Sequence, residues 1–518
     1  MSAYRTQTRG VSPSATLAGQ SAFFLAGNVF TLVVGFPFQI YLANHLGPEG
    51  LGAFGLYESS IAVIAGLLSF GLAPTAVKFI PHFLANNAFS KIRDFLRLSI
   101  KFLIKVGISG YLIMLLISVA VPFACPQYTE ILEPFSVMGL MFPLGLWLFF
   151  TTQSLRGYHE IRYMVIGSSF LQLSAKVLFS VVLFSLGFKL MGYIWAVVLS
   201  TALALAWMLK GLKEQNSKMP VETPVEEFPD AELSWRKYAK VMYGNSLLST
   251  FTAPADRFLV GLFLGVSGVG VLMTIKVLQQ LPGIFLQMFL AVVAPMFSAA
   301  NARGDFNSIQ KLYCITTDWL IRLALPLLVF LAIFAGPVLG LYGETFQSEG
   351  VLPLYILLFA QLINLGCGPI GNVLNMSGYE RVMFKLSIFQ SGLLIVGLAV
   401  LTPLYGLGGS SFAILLAVLF NNFSGMYFAI KKLSLHWWDR RYILWIIPFS
   451  GSVVTCFVLL KVVKDIGKIE LLSFLICSYA VFHILHFAFG VNEDDREVVR
   501  EFRKKFKKLF RKRANECA

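Results

Sequence analysis

The stretch LGPEGLG at residues 46–52 recurs as LGVSGVG at residues 264–270, an offset of 218 residues. Each copy lies between long apolar stretches, and its glycines permit a tight reversal of the chain. The same offset aligns Ser90 with Ser308, and each of these serines precedes a basic stretch. This repetition predicts that two copies of one structural unit make up most of the chain.

The composition predicts a membrane protein. Of 518 residues, 57% are hydrophobic and 13% are charged, and the mean hydropathy of +0.73 is far above that of ordinary soluble domains. About 14 apolar stretches have the roughly 20 residues needed to cross a hydrocarbon layer of about 30 Å. A β-barrel would instead show alternation over about ten residues. We therefore predict an all-α fold, a polytopic membrane protein of about 14 transmembrane helices, called spans 1 to 14 below.

The first of these stretches, at residues 16–41, is predicted to remain in place as span 1. It is too long for the core of a signal peptide, and no small-residue cleavage site follows it.

The net charge of +15 follows the pattern of a membrane protein rather than that of a nucleic-acid-binding protein. Lys and Arg crowd alternate connections between spans, and the intervening connections carry few of them. This positive-inside pattern predicts an even number of spans, with both termini cytoplasmic, in the cytoplasmic (plasma or inner) membrane. No nucleic-acid partner is expected.

The chain is predicted to contain two six-span halves. Because six is even, the halves have the same orientation, and an axis along the membrane normal should relate them. A stretch rich in Pro and Glu between them is typical of a flexible cytoplasmic linker. The predicted regions are residues 1–212 (N-terminal half), 213–234 (linker), 235–433 (C-terminal half), 434–490 (spans 13 and 14) and 491–518 (basic tail).

The tail opens with acidic residues and closes with basic ones, which is the charge order that favours a helix. Four apolar side chains share one face at helical spacing: Val499, Phe502, Phe506 and Leu509. We expect this helix to lie on the anionic inner leaflet, with membrane lipids as its partner. A solvated basic tail that only sets the topology is an equally open interpretation.

Of the charged residues inside predicted spans, four are considered first: Glu58, Asp256, Arg257 and Lys276. A charge at this depth costs about 2.5 to 3.5 kcal/mol on the insertion scale, so it is expected to face protein or water rather than lipid. The repeat offset aligns Glu58 with Lys276 and therefore places an acid and a base at equivalent positions.

These charges belong to polar stripes at spacings of three and four residues, which predict single helix faces. The stripes add Lys176 in span 5 and Gln280 in span 8 to the set of candidates. We expect the stripes to line a water-accessible cavity between the halves. The alternative is that the charges only pair with one another and hold the halves together, and both interpretations can be true of one protein.

Nothing in the sequence predicts catalysis or a cofactor. The six cysteines have no metal-ligand spacing, and no P-loop, zincin helix or nucleophile elbow is present. We therefore expect a protein that is not an enzyme, with no cofactor and no metal site.

Both halves resemble a known family. YLANHLGPEGLGAFGLYESS at residues 41–60 and FGLAPTAVKFI at 70–80 are similar to the polysaccharide-transport branch of the multidrug/oligosaccharidyl-lipid/polysaccharide exporter superfamily. In the second half, ADRFLVGLFLGVSGVGVLMTIKVLQQLP at 255–282 and APMFSAANARGDFNSIQKLY at 294–313 are similar to it too. The resemblance covers roughly residues 16–433.

The resemblance implies a flippase that moves a lipid-linked glycan across the membrane for O-antigen, capsule or exopolysaccharide synthesis, driven by a proton or sodium gradient. It also implies that Asp256 and Arg257 belong to a central cavity. We assign Arg257, Lys276, Lys176 and Gln280 to binding of the diphosphate-linked glycan, and Asp256 or Glu58 to ion coupling or gating. Polysaccharide-assembly proteins are possible partners.

Two other functions stay open. One is an exporter of small amphipathic cations or drugs, although drug-exporting relatives have twelve spans whereas peptidoglycan-precursor flippases have fourteen. The other is a membrane-embedded glycan polymerase or ligase. Such an enzyme needs a sizeable outer loop with Arg, Asp or His, and the longest outer loop here, GPVLGLYGETFQSEGV at residues 336–351, has only two Glu.

Overall fold

A computed structural model describes residues 13–124, 129–220, 235–236, 238–240, 243, 247, 250–463 and 467–489. The predicted tail at 491–518 and most of the predicted linker lie outside the described residues, so both stay predictions.

Regular structure in the described residues is helical, which confirms the predicted fold class. Lipid offers no hydrogen-bond partners, and a helix satisfies its own backbone. In the first half of the chain the helices are α1 (Pro13–Leu68), α2 (Leu72–Ala85), α3 (Phe89–Ala124), α4 (Thr129–Met138), α5 (Met141–Gly157), α6 (Ile161–Val165), a π-helical segment (Ile166–Gln172), α7 (Leu173–Ser185) and α8 (Leu190–Ser217).

The second half of the chain is also helical within the described residues. Its helices are α9 (Ala255–Gln280), a 3₁₀ turn (Leu281–Gly283), α10 (Ile284–Ala302), α11 (Phe306–Ile333), α12 (Ala335–Gly340), α13 (Glu344–Gly366), α14 (Ile370–Met376), α15 (Glu380–Leu433), a second 3₁₀ turn (Arg440–Trp445), α16 (Ile446–Val462) and α17 (Lys468–Phe489).

Within the described residues, eleven helical stretches are long and apolar enough to cross a membrane. Three of them are too long for one crossing, and each contains one glycine with non-helical backbone angles: Gly47 in α1, Gly265 in α9 and Gly406 in α15. Each of these three glycines divides its stretch into two helical segments. The number of membrane crossings itself stays a prediction.

Contacts between Cα atoms divide the chain into two compact units, with the boundary between Met273 and Thr274. In the first unit α8 packs against α5 and α7, and α5 also packs against α2 and α3. Over half of the most apolar 18-residue stretch of α8 is buried, so α8 is the centre of this unit. The described start of the predicted linker, up to Ser217, continues α8 as helix.

In the second unit α11 is the central helix, because 78% of its most apolar 18-residue stretch is buried. It packs against α10, α13, α16 and α17. The last two helices correspond to spans 13 and 14, which the repeat does not explain, and in this structure they pack against the centre of the second unit. The predicted domain limits come from the duplication in the sequence, whereas the two units come from contacts in the structure. The predicted limits therefore stay predictions.

Candidate functional site

The two copies of the glycine loop adopt the same backbone conformation. Gly47 has φ 64° and ψ −177°, and Gly265 has φ 74° and ψ −175°. Only glycine adopts such a combination without steric cost. Each glycine therefore ends one helical segment and lets the next begin within one residue, which is the role that the sequence pattern predicts for this loop.

Downstream of these reversals the two helices touch through their backbones. A Cβ added to Gly52 would lie 1.8 Å from the carbonyl oxygen of Val266, and one added to Gly270 would lie 1.9 Å from that of Pro48. The repeat offset relates Gly52 to Gly270 and Pro48 to Val266. The contact is thus symmetric, and glycine is required at both positions because no side chain fits there.

Arg257 near the start of α9 pairs with Glu58 on α1. Its Nη1 lies 2.8 Å from Glu58 Oε2 and donates a second hydrogen bond to Ser59 Oγ at 3.1 Å. The side chain of Arg257 is 28% exposed and that of Glu58 is 51% exposed, so the pair is partly open. Glu58 lies eleven residues beyond Gly47, about 16 Å along the helix axis.

Asp256 is the neighbouring acid and is buried, with 3% of its surface exposed. It lies in the first turn of α9, where a carboxylate interacts favourably with the helix dipole. Its Oδ1 accepts a hydrogen bond from the backbone N–H of Arg257 at 2.8 Å. Asp256 and Glu58 therefore occupy different environments, one buried at a helix start and the other exposed beside a guanidinium.

Lys176 lies on α7, four residues after the end of the π-helical segment. Its Nζ is 5.9 Å from the centre of the Phe38 ring, within the range of a cation–π contact. The charges of Lys176 and Glu58 also interact. The structure thus brings three predicted site residues, Glu58, Arg257 and Lys176, into one electrostatic group in the first unit. A π-helical turn is often found at functional sites, and no sequence signal predicted this one.

Lys276 and Gln280 belong to the second unit. Lys276 is half-buried on α9, and Gln280 is exposed as the last residue of that helix. The neighbouring Gln279 contacts α13, because its Nε2 donates to Gln361 Oε1 at 2.6 Å. The sequence analysis did not single out Gln279, and the assignment of Gln280 to substrate binding stays a prediction.

A second charged pair inside a span was missed by the sequence analysis. Asp318 and Arg322 on α11 form a salt bridge one helical turn apart, and their side chains are only 2% and 7% exposed. The indole Nε1 of Trp445 also donates to Asp318 Oδ1 at 2.8 Å. The spacing of four between an acid and a base inside an apolar stretch is the signal that could have found this pair.

A family model described as polysaccharide biosynthesis protein matches residues 46–349, more than half of the chain. The match begins at the first copy of the glycine loop and includes the second copy, so it spans both repeats. A search of curated proteins finds no match.

Solved structures with the same fold are transporters. A multidrug resistance MATE family transporter of the MOP superfamily, in an inward-facing conformation, has a TM-score of 0.64 at 16% identity, covering 78% of this chain and 94% of that one. A MOP superfamily transporter from Pyrococcus furiosus has 0.58 at 15% identity, covering 82% and 96%. The MATE transporter VcmN of Vibrio cholerae has 0.57 at 16% identity, covering 81% and 96%.

The chain therefore has the fold of these MOP-superfamily transporters, and its long apolar helices are those of a multi-pass membrane protein. The chain belongs to the polysaccharide biosynthesis protein family. Both findings confirm the resemblance found in the sequence.

Proposed function

We propose that this protein is a flippase that moves a lipid-linked oligosaccharide, a glycan on a polyprenyl diphosphate, across the cytoplasmic membrane by alternating access. The movement is coupled to an ion gradient and serves synthesis of a cell-surface polysaccharide. The protein is a transporter without catalytic activity, and both termini are cytoplasmic.

The observation that carries this proposal is the Arg257–Glu58 pair. It joins α1 of the first repeat to α9 of the second, inside apolar segments, and leaves both side chains partly exposed. A purely structural ion pair within a membrane is expected to be buried, as Asp318 and Arg322 are. An open guanidinium beside an exposed carboxylate can exchange its partner for a phosphate oxygen.

The physical demand of the substrate explains why such a site is needed. Each sugar hydroxyl costs about 4 to 8 kcal/mol to transfer from water to alkane, so an oligosaccharide faces a barrier of several tens of kcal/mol in bare lipid. A polar, hydrated path lowers this barrier, while the polyprenyl tail stays in the bilayer. In our proposal Arg257, Lys276 and Lys176 compensate the diphosphate, and Gln280 bonds to the glycan.

Ion coupling falls to the acids in this scheme. Protonation of Glu58 would release Arg257 for the diphosphate, because a neutral carboxyl holds a guanidinium less strongly than a carboxylate does. Asp256, buried next to Arg257, is the second candidate for this role. Return of Glu58 to the charged form would then displace the substrate from Arg257.

The experiment compares Arg257→Ala and Lys276→Ala with Lys189→Ala, which removes an exposed cation outside the apolar segments. In cells, the first two should lower polysaccharide export at unchanged protein level in the membrane, and the control should not. Unchanged export in both site variants would refute the cationic site. Resistance to cationic drugs on expression, without any effect on polysaccharide, would favour a drug antiporter instead.

Glu58→Gln separates substrate binding from a merely structural pair. If Arg257 binds the diphosphate, Arg257→Ala should weaken binding of a polyprenyl diphosphate to the purified protein by tenfold or more, from about 1.5 to 3 kcal/mol per charged hydrogen bond. Glu58→Gln should leave that affinity unchanged or higher, because it frees the guanidinium. If both variants only lower thermal stability and neither changes the affinity, the pair is structural.

A further inference from the structure

A cavity of about 390 Å³ opens at the start of α3; its described lining lies in the first unit and includes neither Arg257 nor Glu58. Within the described part of the chain, its lining combines three cations with one acid and several apolar side chains. The lining residues are Phe83, Lys91, Asp94, Phe95, Arg97, Leu98, Lys101 and Trp235. A volume of this size is in the range of small-molecule sites and exceeds what one inorganic phosphate fills.

Packed side chains form the walls of this cavity. Phe95 is buried, with 1% of its surface exposed, and its ring meets Trp235 edge-on at 5.1 Å between centroids. Arg93, on the same turn of α3, donates instead to the carbonyl oxygen of Pro220 at 3.1 Å. Two aromatic rings thus form a fixed wall, and the lining cations of α3, from four residues before Phe95 to six residues after it, face the same space.

The position of the cavity along α3 indicates that it lies at the depth of the lipid headgroups. The helix has 36 residues, about 54 Å at 1.5 Å per residue, whereas the hydrocarbon layer needs only about 30 Å. The lining cations all lie in its first 13 residues. The basic connections of the chain are predicted to be cytoplasmic, which places this end of α3 at the inner leaflet.

The charges and apolar groups together define the ligand chemistry. Among the described lining residues, Arg97 and Lys101 place two cations one turn apart on α3, which favours an anion. Leu98, 42% exposed, adds an apolar surface beside them. An anionic group joined to an apolar chain fits both features, while a free anion would use only the cations.

We propose that this cavity, which we call the α3 pocket, binds the phosphate group of a lipid in the inner leaflet. The occupant is an anionic, phosphate-bearing lipid whose headgroup contacts Arg97 and Lys101 and whose apolar part lies against Leu98 and the ring of Trp235. The α3 pocket is independent of the transport site, so its occupancy does not require that the protein transport anything.

The test measures lipid binding to the purified full-length protein in detergent by native mass spectrometry. The probes are a short-chain phosphatidylglycerol, phosphatidylcholine of the same chain length, a polyprenyl diphosphate and inorganic phosphate. The pocket variant is Arg97→Gln/Lys101→Gln. The matched control is Arg381→Gln/Lys385→Gln, which removes two exposed cations with the same spacing at the start of α15.

The pocket variant should bind phosphatidylglycerol about 30-fold more weakly, since each cation near an anionic lipid contributes about fivefold. The control variant should bind it as the wild type does. Trp235→Ala retains both of these cations and should still weaken binding several-fold, which separates a pocket from a diffuse positive surface. Equal loss in the pocket and control variants, or no loss in either, would overturn the proposal.

The probes identify the source of the phosphate. Tighter binding of phosphatidylglycerol than of the polyprenyl diphosphate, lost in the pocket variant, supports a glycerophospholipid as the occupant. The reverse order, lost in the same variant, supports the diphosphate lipid. Equal binding of phosphatidylcholine, or full competition by inorganic phosphate, would overturn the assignment to an anionic lipid. Thermal unfolding of each variant in the same detergent shows whether it is folded. If the double variant does not fold, Lys101→Gln alone, at an exposed position, replaces it.

Discussion

Substitution of Gly52 by Ala tests the symmetric contact between the two glycine loops. The added Cβ would lie 1.8 Å from the carbonyl oxygen of Val266, whereas a comfortable carbon–oxygen contact is about 3.3 Å or more. The two backbones must therefore separate by about 1.5 Å. Because both partners are backbone atoms, no change of side-chain rotamer can relieve the clash.

The expected cost is at the upper end for overpacking, about 3 kcal/mol. If the contact forms in one conformation of an alternating-access cycle and is open in the other, this cost changes their ratio by about 150-fold. Gly270→Ala should behave in the same way, since its Cβ would lie 1.9 Å from the carbonyl oxygen of Pro48. The double variant should be less than additive, because one separation relieves both clashes.

The assay is the labelling rate of a single cysteine at Leu51, which is buried beside Gly52 with 6% of its surface exposed. The six native cysteines are first replaced by Ser, and a membrane-impermeant maleimide is added to cells. Labelling should be at least tenfold faster with Gly52→Ala than without it. Polysaccharide export should fall in the same cells, because a transporter held in one conformation does not cycle.

Gly145→Ala is the matched control, because Gly145 is a helical glycine whose added Cβ meets nothing within 4 Å. It should leave both labelling and export unchanged. Wild-type labelling and wild-type export in Gly52→Ala and Gly270→Ala would show that the contact is not part of a conformational cycle. Loss of the protein from the membrane in both variants would instead show that the contact is needed for folding.

Two further predictions concern side chains in the second unit. Asp318→Asn removes the carboxylate that pairs with the buried guanidinium of Arg322 and should lower the free energy of unfolding in detergent by about 3 to 5 kcal/mol. Trp445→Phe removes one hydrogen bond to Asp318 and should lower the free energy of unfolding by less. Equal stability of the wild type and both variants would contradict this reasoning. Asp305 caps α11, and hydrogen bonds from the hydroxyl and backbone N–H of Ser308 hold the pKa of its carboxyl below the usual range. The cap therefore stabilises the folded protein at neutral pH and loses this effect as the pH falls below about 4. At pH 7 the melting temperature of Asp305→Ala should be lower than that of the wild type. This difference in melting temperature should become smaller in acid.

Much of the fold could be predicted from the sequence because hydrophobicity and chain reversal are local properties. A stretch of about 20 apolar residues crosses lipid as a helix whatever its neighbours are. A glycine with positive φ is needed wherever one helix must end and another begin within a residue, as at Gly47 and Gly265. The duplication of the loop at a fixed offset was also visible without any structure.

The candidate site could be predicted only in part. The rule that charges in spans face protein or water pointed to Glu58, Arg257 and Lys176, and the structure brings these three together. The repeat offset aligned Glu58 with Lys276, yet the residue that bonds to Glu58 at 2.8 Å is Arg257. Alignment by offset relates equivalent positions, whereas contact depends on how two helices cross.

What the sequence by itself determined is the class of structure: helical, membrane-spanning, duplicated, and related to polysaccharide transport. What only the tertiary structure decided is which polar groups meet, such as Gln279 with Gln361, and where backbones touch, as at Gly52. The physical reason is that a helix fixes spacing along one face to within a turn, while the rotation and crossing of neighbouring helices, set by packing over their whole length, select the atoms in contact.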